Sequence, residues 1–590
     1  METRRDFIRL AALGATAASL FPAAKIGAAT AMGGETAAKQ NRITDRHRNL
    51  FNGDSCVYFY NPELWQPEGG PFSAKAIHRY VEVLQQNGID TFLINANASK
   101  AWYPSRTIPT IIDGYKRGDR EFFRGHAICM LGPGPMAPAD VDKFLDNMVK
   151  FFNQYLDLVE AGVDWLAESS KACRERGISP WVSIRMNDMH GHRNFQGSFF
   201  NAPLLKRKEM RLAHSNYPCI TVDLTNRQGL DYAHKEVRDF LFAQIREVVE
   251  DYDFEGLELD WWRQPLCLDP NAPPQAVEMM SDWFREIRAM TRRRAAATGR
   301  PYYFGMRIPG NLGTLRSIGI DIATLCREGT LDFISPSGYW CTTWDMPHDD
   351  LRRQVGERTA VYGVIEDGVN GMQTRSPKLG VTRDIRFISA SREMVSANAA
   401  GKLVLGAAGI EWFNFFCSDQ ARISGLASDY RNLRDIDRLD LLRGREKHYA
   451  FAYKNSAQGE VPFEGAPPVP VVLEKSWRQA FRIPMCAEPA DRGLKLVIQV
   501  VMKKSEPLVG LPVSFNGSWP KTENTQSDRL LFPCGSLTHH VPGHVGYDFQ
   551  FPIGLVQDGW NEVIVENGGD DPVTVVAVEL AVMASRPALA

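Results

Sequence analysis

The sequence predicts an α/β protein, a closed (β/α)₈ TIM barrel followed by a smaller all-β, jelly-roll-like sandwich. Strand-like runs alternate with helical patterns between residues 55 and 415, and there are eight such runs. After a stretch rich in Pro and Gly at 455–470, the pattern changes to short β-runs. Alternating strands and amphipathic helices are typical of βαβ units, and eight units fit a closed barrel better than an open sheet.

The eight predicted strands lie at 56–60, 91–95, 181–186, 256–261, 302–307, 331–335, 360–365 and 403–407. Several are continuous apolar runs, as expected of parallel strands buried on both faces. Ser73 is a plausible N-cap for a helix that ends at Gly88, and apolar spacing predicts further helices at 237–249 and 277–290. A long insertion at 97–180, with a helical stretch around 141–152, is expected to wall the barrel mouth.

The end of the chain carries the β-runs 495–502, 513–516, 547–551, 561–566 and 573–582, separated by Gly, Pro and Asn/Asp clusters. We therefore predict four parts: a signal at 1–32, a barrel at 50–450, a linker at 451–475 and a β-sandwich at 476–590.

Composition excludes several classes of protein. A chain of 590 residues favours two or three domains. The hydrophobic fraction of 44% and charged fraction of 23% exclude disorder for most of it. Because 68 Lys and Arg balance 70 Asp and Glu, we expect no nucleic-acid partner, which would require a basic face.

The start of the chain has the order of an export signal. Arg4 and Arg5 precede a weakly apolar run at 10–21 and an Ala-rich stretch at 23–31. This arrangement resembles a twin-arginine signal, and the apolar run is too short for a membrane span. We expect a soluble protein in the periplasm or outside the cell, with no membrane span after signal removal.

The chemistry is expected at the carboxyl ends of the barrel strands, where the βα loops build the pocket. Glu258 and Asp260 share one face of the fourth strand because strand side chains alternate. Asp260 lies nearer the mouth and is the favoured catalyst, with Glu258 orienting it or binding a substrate hydroxyl. Glu366 ends the seventh strand, on the opposite side of the ring, and is the predicted second carboxyl group. The alternative is a structural ion pair with Arg185 or Arg307.

The other strand ends add amides, arginines and aromatic rings. Stacking rings together with carboxylates, amides and guanidinium groups suit a sugar, which has apolar faces and many hydroxyls. The predicted substrate-binding residues are Arg185, Asn187, Asp188, His190, Trp261, Trp262, Arg263, Arg307, Tyr339, Trp340, Glu411, Trp412 and Asn414. Glu411 is also a candidate catalytic carboxyl group.

Two short motifs lie around the fourth predicted strand. They are Val237-Arg238-Asp239-Phe240 and, at residues 252–260, Tyr-Asp-Phe-Glu-Gly-Leu-Glu-Leu-Asp. This arrangement resembles bacterial glycosyl-hydrolase-like barrels loosely related to family 10 glycoside hydrolases. The resemblance implies a barrel over about 50–415 and glycoside hydrolysis by paired carboxylates. Leu259-Asp260 stands where well-known retaining barrel families have an Asn-Glu pair, so the proton donor stays open. The pieces 513–517 and 559–563 resemble a galactose-binding-like module.

Other kinds of site fit less well. His190 and His192 are not joined by histidines on the fifth and sixth strands, so we predict neither a metal nor another cofactor. Serine-elbow, zincin and P-loop motifs are missing from the sequence. The remaining alternatives are a non-catalytic carbohydrate-binding protein and a polysaccharide lyase with His190 or Tyr339 as base. The sequence leaves the sugar, the linkage and the oligomeric state open.

Overall fold

The computed structural model describes residues 43–54, 59, 62–131, 136–212, 228–262, 265–269, 271–338, 342–366, 368–370, 387–413, 429–451, 469–503, 510–534, 537–540 and 542–584. The predicted signal at 1–32 and most of the predicted linker lie outside these residues.

A parallel sheet forms the barrel. Its strands are β1 Asn49–Gly53, β2 Thr91–Asn95, β3 Ser179–Arg185, β4 Gly256–Asp260, β5 Tyr303–Ile308, β6 Phe333–Pro336, β7 Ala360–Val361, β8 Gly363–Glu366 and β11 Ile410–Phe413. Between β8 and β11, the strands β9 Gly368–Asn370 and β10 Phe387–Ser389 form a separate antiparallel pair. Only Tyr362 separates β7 from β8. Because β7 pairs with β6 and β8 pairs with β11, the sheet closes into a ring of eight strand positions. The predicted barrel is thus confirmed.

Helices lie between the strands. They are α1 Ile43–Arg46, α2 Pro62–Trp65, α3 Ala74–Gln86, α4 Glu121–Leu131, α5 Pro138–Glu160, α6 Trp165–Glu175, α7 Pro203–Lys206, α8 Lys235–Glu250, α9 Gln275–Thr298, α10 Leu312–Ser317, α11 Ile322–Arg327, α12 His348–Val355, α13 Arg392–Val404 and α14 Leu439–Leu442. Ser73 is the N-cap residue of α3, as predicted. Gly299 follows α9 with φ of 65°, a left-handed conformation that favours glycine. None of the described helices is both long and apolar enough to cross a membrane.

Two predicted strands were placed wrongly. The first barrel strand is β1 at Asn49–Gly53, upstream of the predicted 56–60, where Phe59 lies in a helical turn. Residues 403–404 end helix α13, and the last barrel strand is β11 instead of 403–407. Both errors have one cause, because the prediction selected the more apolar segments. Strand β1 carries two asparagines and a glycine, and 403–407 is more apolar than β11, which contains Glu411.

The barrel interior is layered. Leu50, Leu93, Trp181, Phe333 and Tyr362 belong to an apolar cluster in its lower part. On β1, β3 and β4, the next inward positions towards the carboxyl ends carry polar or charged side chains. Because strand side chains alternate, an apolar floor and a polar mouth arise from a single inward-facing row.

Antiparallel sheets follow the barrel. Their strands are β12 Lys447–Phe451, β13 Val471–Leu473, β14 Arg478–Met485, β15 Leu494–Lys503, β16 Val513–Phe515, β17 Thr525–Ser527, β18 Arg529–Cys534, β19 Leu537–His539, β20 His544–Pro552, β21 Gly559–Glu566 and β22 Val573–Ala584. One sheet has the order β12-β22-β15-β20-β17 with β13 beside β22, a second has β14-β21-β16, and β18 pairs with β19. Ring contacts join the two larger sheets, with Phe451 and Phe481 centroids 5.3 Å apart and Phe515 and Phe551 centroids 5.9 Å apart.

Candidate active site

Asp260 and Arg307 form a buried ion pair at the barrel mouth. Asp260 ends β4, and its register partner on β5 is Arg307. The guanidinium donates to both carboxylate oxygens, from Nε to Oδ1 at 3.0 Å and from Nη2 to Oδ2 at 3.1 Å. The backbone N–H of Trp262 donates a third bond to Oδ1. Asp260 is therefore held in one orientation as an acceptor, the role of an ionised carboxylate.

Arg307 also approaches the second predicted carboxyl group. Its Nη1 lies 3.8 Å from Glu366 Oε1 and donates to Ser337 Oγ at 3.1 Å. Its Cζ lies 3.4 Å from the ring centroid of Phe413, a cation–π contact. Asp260 and Glu366, carried by strands on opposite sides of the ring, thus meet the same guanidinium.

Glu258 and Glu411 lie deeper in the barrel, around the amide of Asn52. Asn52 Nδ2 donates to Glu258 Oε1 at 2.7 Å and lies 3.4 Å from Glu411 Oε1, while Ser183 Oγ donates to Glu258. Both carboxyl groups are fully buried. Burial, followed by the charge of Glu411, raises the pKa of Glu258 well above its ordinary value, and burial also raises the pKa of Glu411. These two groups are suited to holding a proton between them.

A second group of charges extends from β3 to the rim. Arg185 Nη2 donates to Asp54 at 2.8 Å, and its Nη1 lies 3.5 Å from Asp188. His190 Nδ1 lies 2.7 Å from Asp188, and its side chain is 30% exposed. Burial opposes ionisation of Asp188, but His190 and Arg185 outweigh it and hold the pKa of that carboxyl group below its ordinary range. His190 is thus an oriented imidazole at the edge of the mouth.

Other predicted site residues lie among core or loop contacts. Asn187 bridges two loops, since its Nδ2 donates to Leu266 O at 2.9 Å and its Oδ1 accepts from Leu230 N. Trp261 packs against Tyr232, in the turn before α8, and against Phe284 of α9, with ring centroids 5.0 Å and 6.0 Å away. Trp412 donates to Asn49 Oδ1 on neighbouring β1, and Trp262 is buried. The alternation that brings Asp260 and Glu411 inward turns Trp261 and Trp412 outward, away from the mouth. Arg263, Tyr339, Trp340 and Asn414 lie outside the described residues.

Five residues of this site were not predicted from the sequence: Asn52, Asp54, Ser183, Ser337 and Phe413. Asn52 and Asp54 sit two residues apart at the end of β1. Residues two apart on a strand point to the same face, so Asn52 and Asp54 form a polar pair of the kind expected at a barrel mouth. They were not predicted because the first strand was expected at 56–60. Among the described residues, no group of three or more His, Cys, Asp or Glu side chains is arranged to hold a metal ion.

Neither protein-family models nor curated protein sequences match this chain. Several solved structures are similar at low identity. An α-L-fucosidase isoenzyme 2 from Paenibacillus thiaminolyticus has 14% identity and a TM-score of 0.37, covering 67% of this chain and 48% of its own. This chain thus spans less than half of that enzyme. An α-L-fucosidase from Vibrio sp. strain EJY3 has 10% identity and a TM-score of 0.34, covering 92% and 98%.

A noncanonic maltogenic α-amylase from Thermotoga neapolitana has 11% identity and a TM-score of 0.32, covering 89% of this chain and 99% of its own. All three of these proteins are glycoside hydrolases. At such low identity and TM-score, their activities do not extend to this chain, whose function has to be inferred from its own residues.

Proposed function

We propose that this protein is an exported glycoside hydrolase that cleaves a poly- or oligosaccharide with paired carboxyl groups. The proposal rests on one observation: Asp260 and Glu366, at the carboxyl ends of barrel strands, both lie next to the guanidinium of Arg307. Glycoside hydrolysis uses two carboxyl groups on either side of the scissile bond. Export by the twin-arginine route, to the periplasm or beyond, is supported by the sequence of residues 1–32.

The surroundings of the two carboxyl groups favour different roles. Asp260 accepts three hydrogen bonds and is the anionic partner, which attacks the sugar carbon or activates water. Glu366 is the proton donor to the glycosidic oxygen as the bond from that oxygen to the sugar carbon breaks. Glu258 supports Asp260 from one pleat deeper, and Arg307 positions both catalytic groups.

The exposed, carboxylate-held imidazole of His190 favours one second candidate, a polysaccharide lyase with His190 as base. A lyase removes a proton beside a uronate carboxyl group and leaves a double bond in the product, whereas a hydrolase adds water. A carbohydrate-binding protein without catalysis is a third possibility on the same fold.

The test is a screen of plant and marine glycans with the wild type, Asp260→Asn and Glu366→Gln. We expect each substitution to lower the rate of bond cleavage about 100- to 10,000-fold, the usual contribution of positioned acid–base groups. Asp239→Asn, on the exposed side of α8, is the matched control and should keep full activity.

Product analysis separates the candidates. Reducing ends without a new double bond support the hydrolase. Full activity in both carboxyl variants contradicts it. Unsaturated products that disappear in His190→Ala indicate the lyase, and glycan binding without any product indicates a binding protein.

A further inference from the structure

An open cavity lies on the carboxyl side of the barrel, between the loops that follow β5 and β6. It has a volume of about 400 Å³, and residues 310–313, 343 and 345–347 line it together with Asp350 and Gln354 of α12. Asn311, Asp345 and Gln354 are exposed, so a ligand can enter from solvent. Because cavities of about 300–1,000 Å³ are typical of small-molecule sites, this one has room for a sugar unit.

The cavity adjoins the candidate proton donor, on the face where (β/α)₈ barrels carry their active sites. Thr342 Oγ1 donates to the backbone oxygen of Glu366 and accepts from its N–H, both at 2.9 Å. Thr343, the next residue, lines the cavity. Its carbonyl oxygen accepts from Asn398 and Lys402 of α13, each at 2.7 Å. The wall of the cavity is thus one residue away from the side chain that holds Glu366, and it is fixed from α13.

Two amide side chains of the lining have hydrogen-bonding capacity that the described fold does not use. Asn311 Oδ1 accepts from Thr314 N at 3.0 Å, which leaves the amide N–H groups of Asn311 as donors. Gln354 Nε2 donates to Asp350 Oδ2 at 2.7 Å, which leaves the carbonyl oxygen of Gln354 as an acceptor. A donor and an acceptor therefore face a ligand, which is the pair that two hydroxyl groups of a sugar require.

The rest of the lining is apolar or acidic. Leu312, Met346 and Pro347 supply apolar surface, as is usual in binding pockets. Asp345 and Asp350 line the cavity as well, whereas none of the described lining residues is a lysine, an arginine or a histidine. An anionic sugar would meet carboxylates without a cationic partner there, so the lining suits an uncharged unit.

We propose that this cavity binds an uncharged pyranose unit of the substrate, beyond the two units that the scissile bond joins. Asn311 donates to one hydroxyl group, Gln354 accepts from another, and the ring packs against Met346. The inference rests on the proposed function in taking the ligand to be a carbohydrate chain. It adds that the chain is uncharged and has at least three units.

Calorimetry on the full-length Glu366→Gln protein measures binding without cleavage. The ligands are dimers to pentamers of β-1,4-linked xylose, glucose and mannose and of α-1,4-linked glucose, with galacturonate oligomers of the same lengths for comparison. We expect the affinity in at least one uncharged series to rise tenfold or more above that of the dimer, and the galacturonates to show no such gain. A tenfold gain is the contribution expected of one or two hydrogen bonds.

Gln354→Trp places a ring in the cavity and should remove the gain with chain length, while the affinity for the dimer stays the same. Glu357→Trp is the matched control, because it adds the same ring at an exposed position just after α12, outside the lining. The melting temperature shows whether each variant is folded.

A second measurement uses the wild-type sequence at position 354. With ¹³C-methyl methionine labelling, the longer oligomers should shift the signal of Met346, and the dimer should not. Affinities independent of length in every uncharged series, a gain that persists in folded Gln354→Trp, an unshifted Met346 signal, or tighter binding of galacturonates would each overturn the proposal. If no glycan is cleaved by the wild type but the gain with length is present, the hydrolase is rejected and the cavity stands; cleavage without that gain rejects the cavity alone.

Discussion

Glu258 and Glu411 show how single side chains set the charge inside the barrel. Both carboxyl groups bond to the amide of Asn52, and each has one oxygen without a hydrogen-bond donor among the described residues. Two adjacent, fully buried carboxylates repel each other, so one retained proton stabilises the folded state. With one proton retained, the pair carries a single negative charge, which accepts from the amide of Asn52 beneath Asp260.

This pair gives a pH-dependent prediction. The pKa values of both groups are raised in the folded protein, so above the ordinary glutamate pKa the folded state holds more protons than the unfolded chain. That contribution to stability is fully present below the unfolded pKa and is lost as pH rises through the folded pKa. Glu411→Gln removes the part that Glu411 contributes, and the glutamine amide can donate to Glu258. The free energy of unfolding of this variant, relative to the wild type, should therefore increase with pH above about 4.5.

Urea unfolding at several pH values between 5 and 8 measures the difference, whose slope should reach at most about 1.4 kcal/mol per pH unit for a single proton. Glu63→Gln, at an exposed position of α2, should show no such slope. A parallel pH dependence of Glu411→Gln and the wild type would mean that no proton is held between the two carboxyl groups.

At the scale of elements, the strands whose apolar runs are bounded by turns were predictable. Strand β2 lies at the predicted residues, and β4 is one residue shorter than predicted. By contrast, β1 places Asn49 and Asn52 inside the fold, where each finds a specific partner. An apolar pattern does not identify such a strand, because its asparagines are satisfied only by residues distant in sequence. Because strand side chains alternate, the inward position of the carboxyl groups could be predicted from the sequence. The same alternation implies that Trp261 and Trp412 point outward, although both were predicted to bind substrate.

The loop after β2 is held by one carboxylate of α8. Glu247 Oε2 accepts from Tyr103, Ser105 and Thr107 hydroxyls at 2.9, 2.6 and 2.9 Å, and Oε1 accepts from Arg106 N at 2.7 Å. Glu247→Ala leaves these donors without a buried acceptor. We expect it to lower the free energy of unfolding by about 3 kcal/mol, since a hydrogen bond to a charged group contributes about 1.5–3 kcal/mol.

Hydrogen exchange of residues 101–111 should accelerate in the same variant, because Glu247 fixes the loop that carries Trp102. Glu250→Ala, an exposed position of the same helix, makes the same change without these contacts and should alter neither quantity. If the loop amides exchange equally slowly in Glu247→Ala, the loop is held by its other contacts.

At the scale of the whole molecule, the barrel and the following β-sheets share a close interface. Trp560 Nε1 on β21 donates to Asp349 Oδ2 on α12 at 3.1 Å. On α13, a Cβ atom added to Gly401 would lie 2.6 Å from the backbone oxygen of Pro484 in β14. A contact this close leaves no space for a methyl group, so α13 and β14 must separate to accept one.

Gly401→Ala therefore tests whether the two parts are stabilised by each other. Alanine is the better helix former by about 1 kcal/mol, so a local effect alone would stabilise α13. We expect the opposite, a loss of roughly 1–3 kcal/mol from overpacking, seen by calorimetry as a lower melting temperature for the barrel and the β-sheets together. Gly554→Ala is the matched control, because a Cβ there meets no atom within 4 Å. An unchanged or higher melting temperature for Gly401→Ala would show that α13 and β14 can move apart without loss of free energy of unfolding. The β-sheets would then have to be regarded as an independent domain.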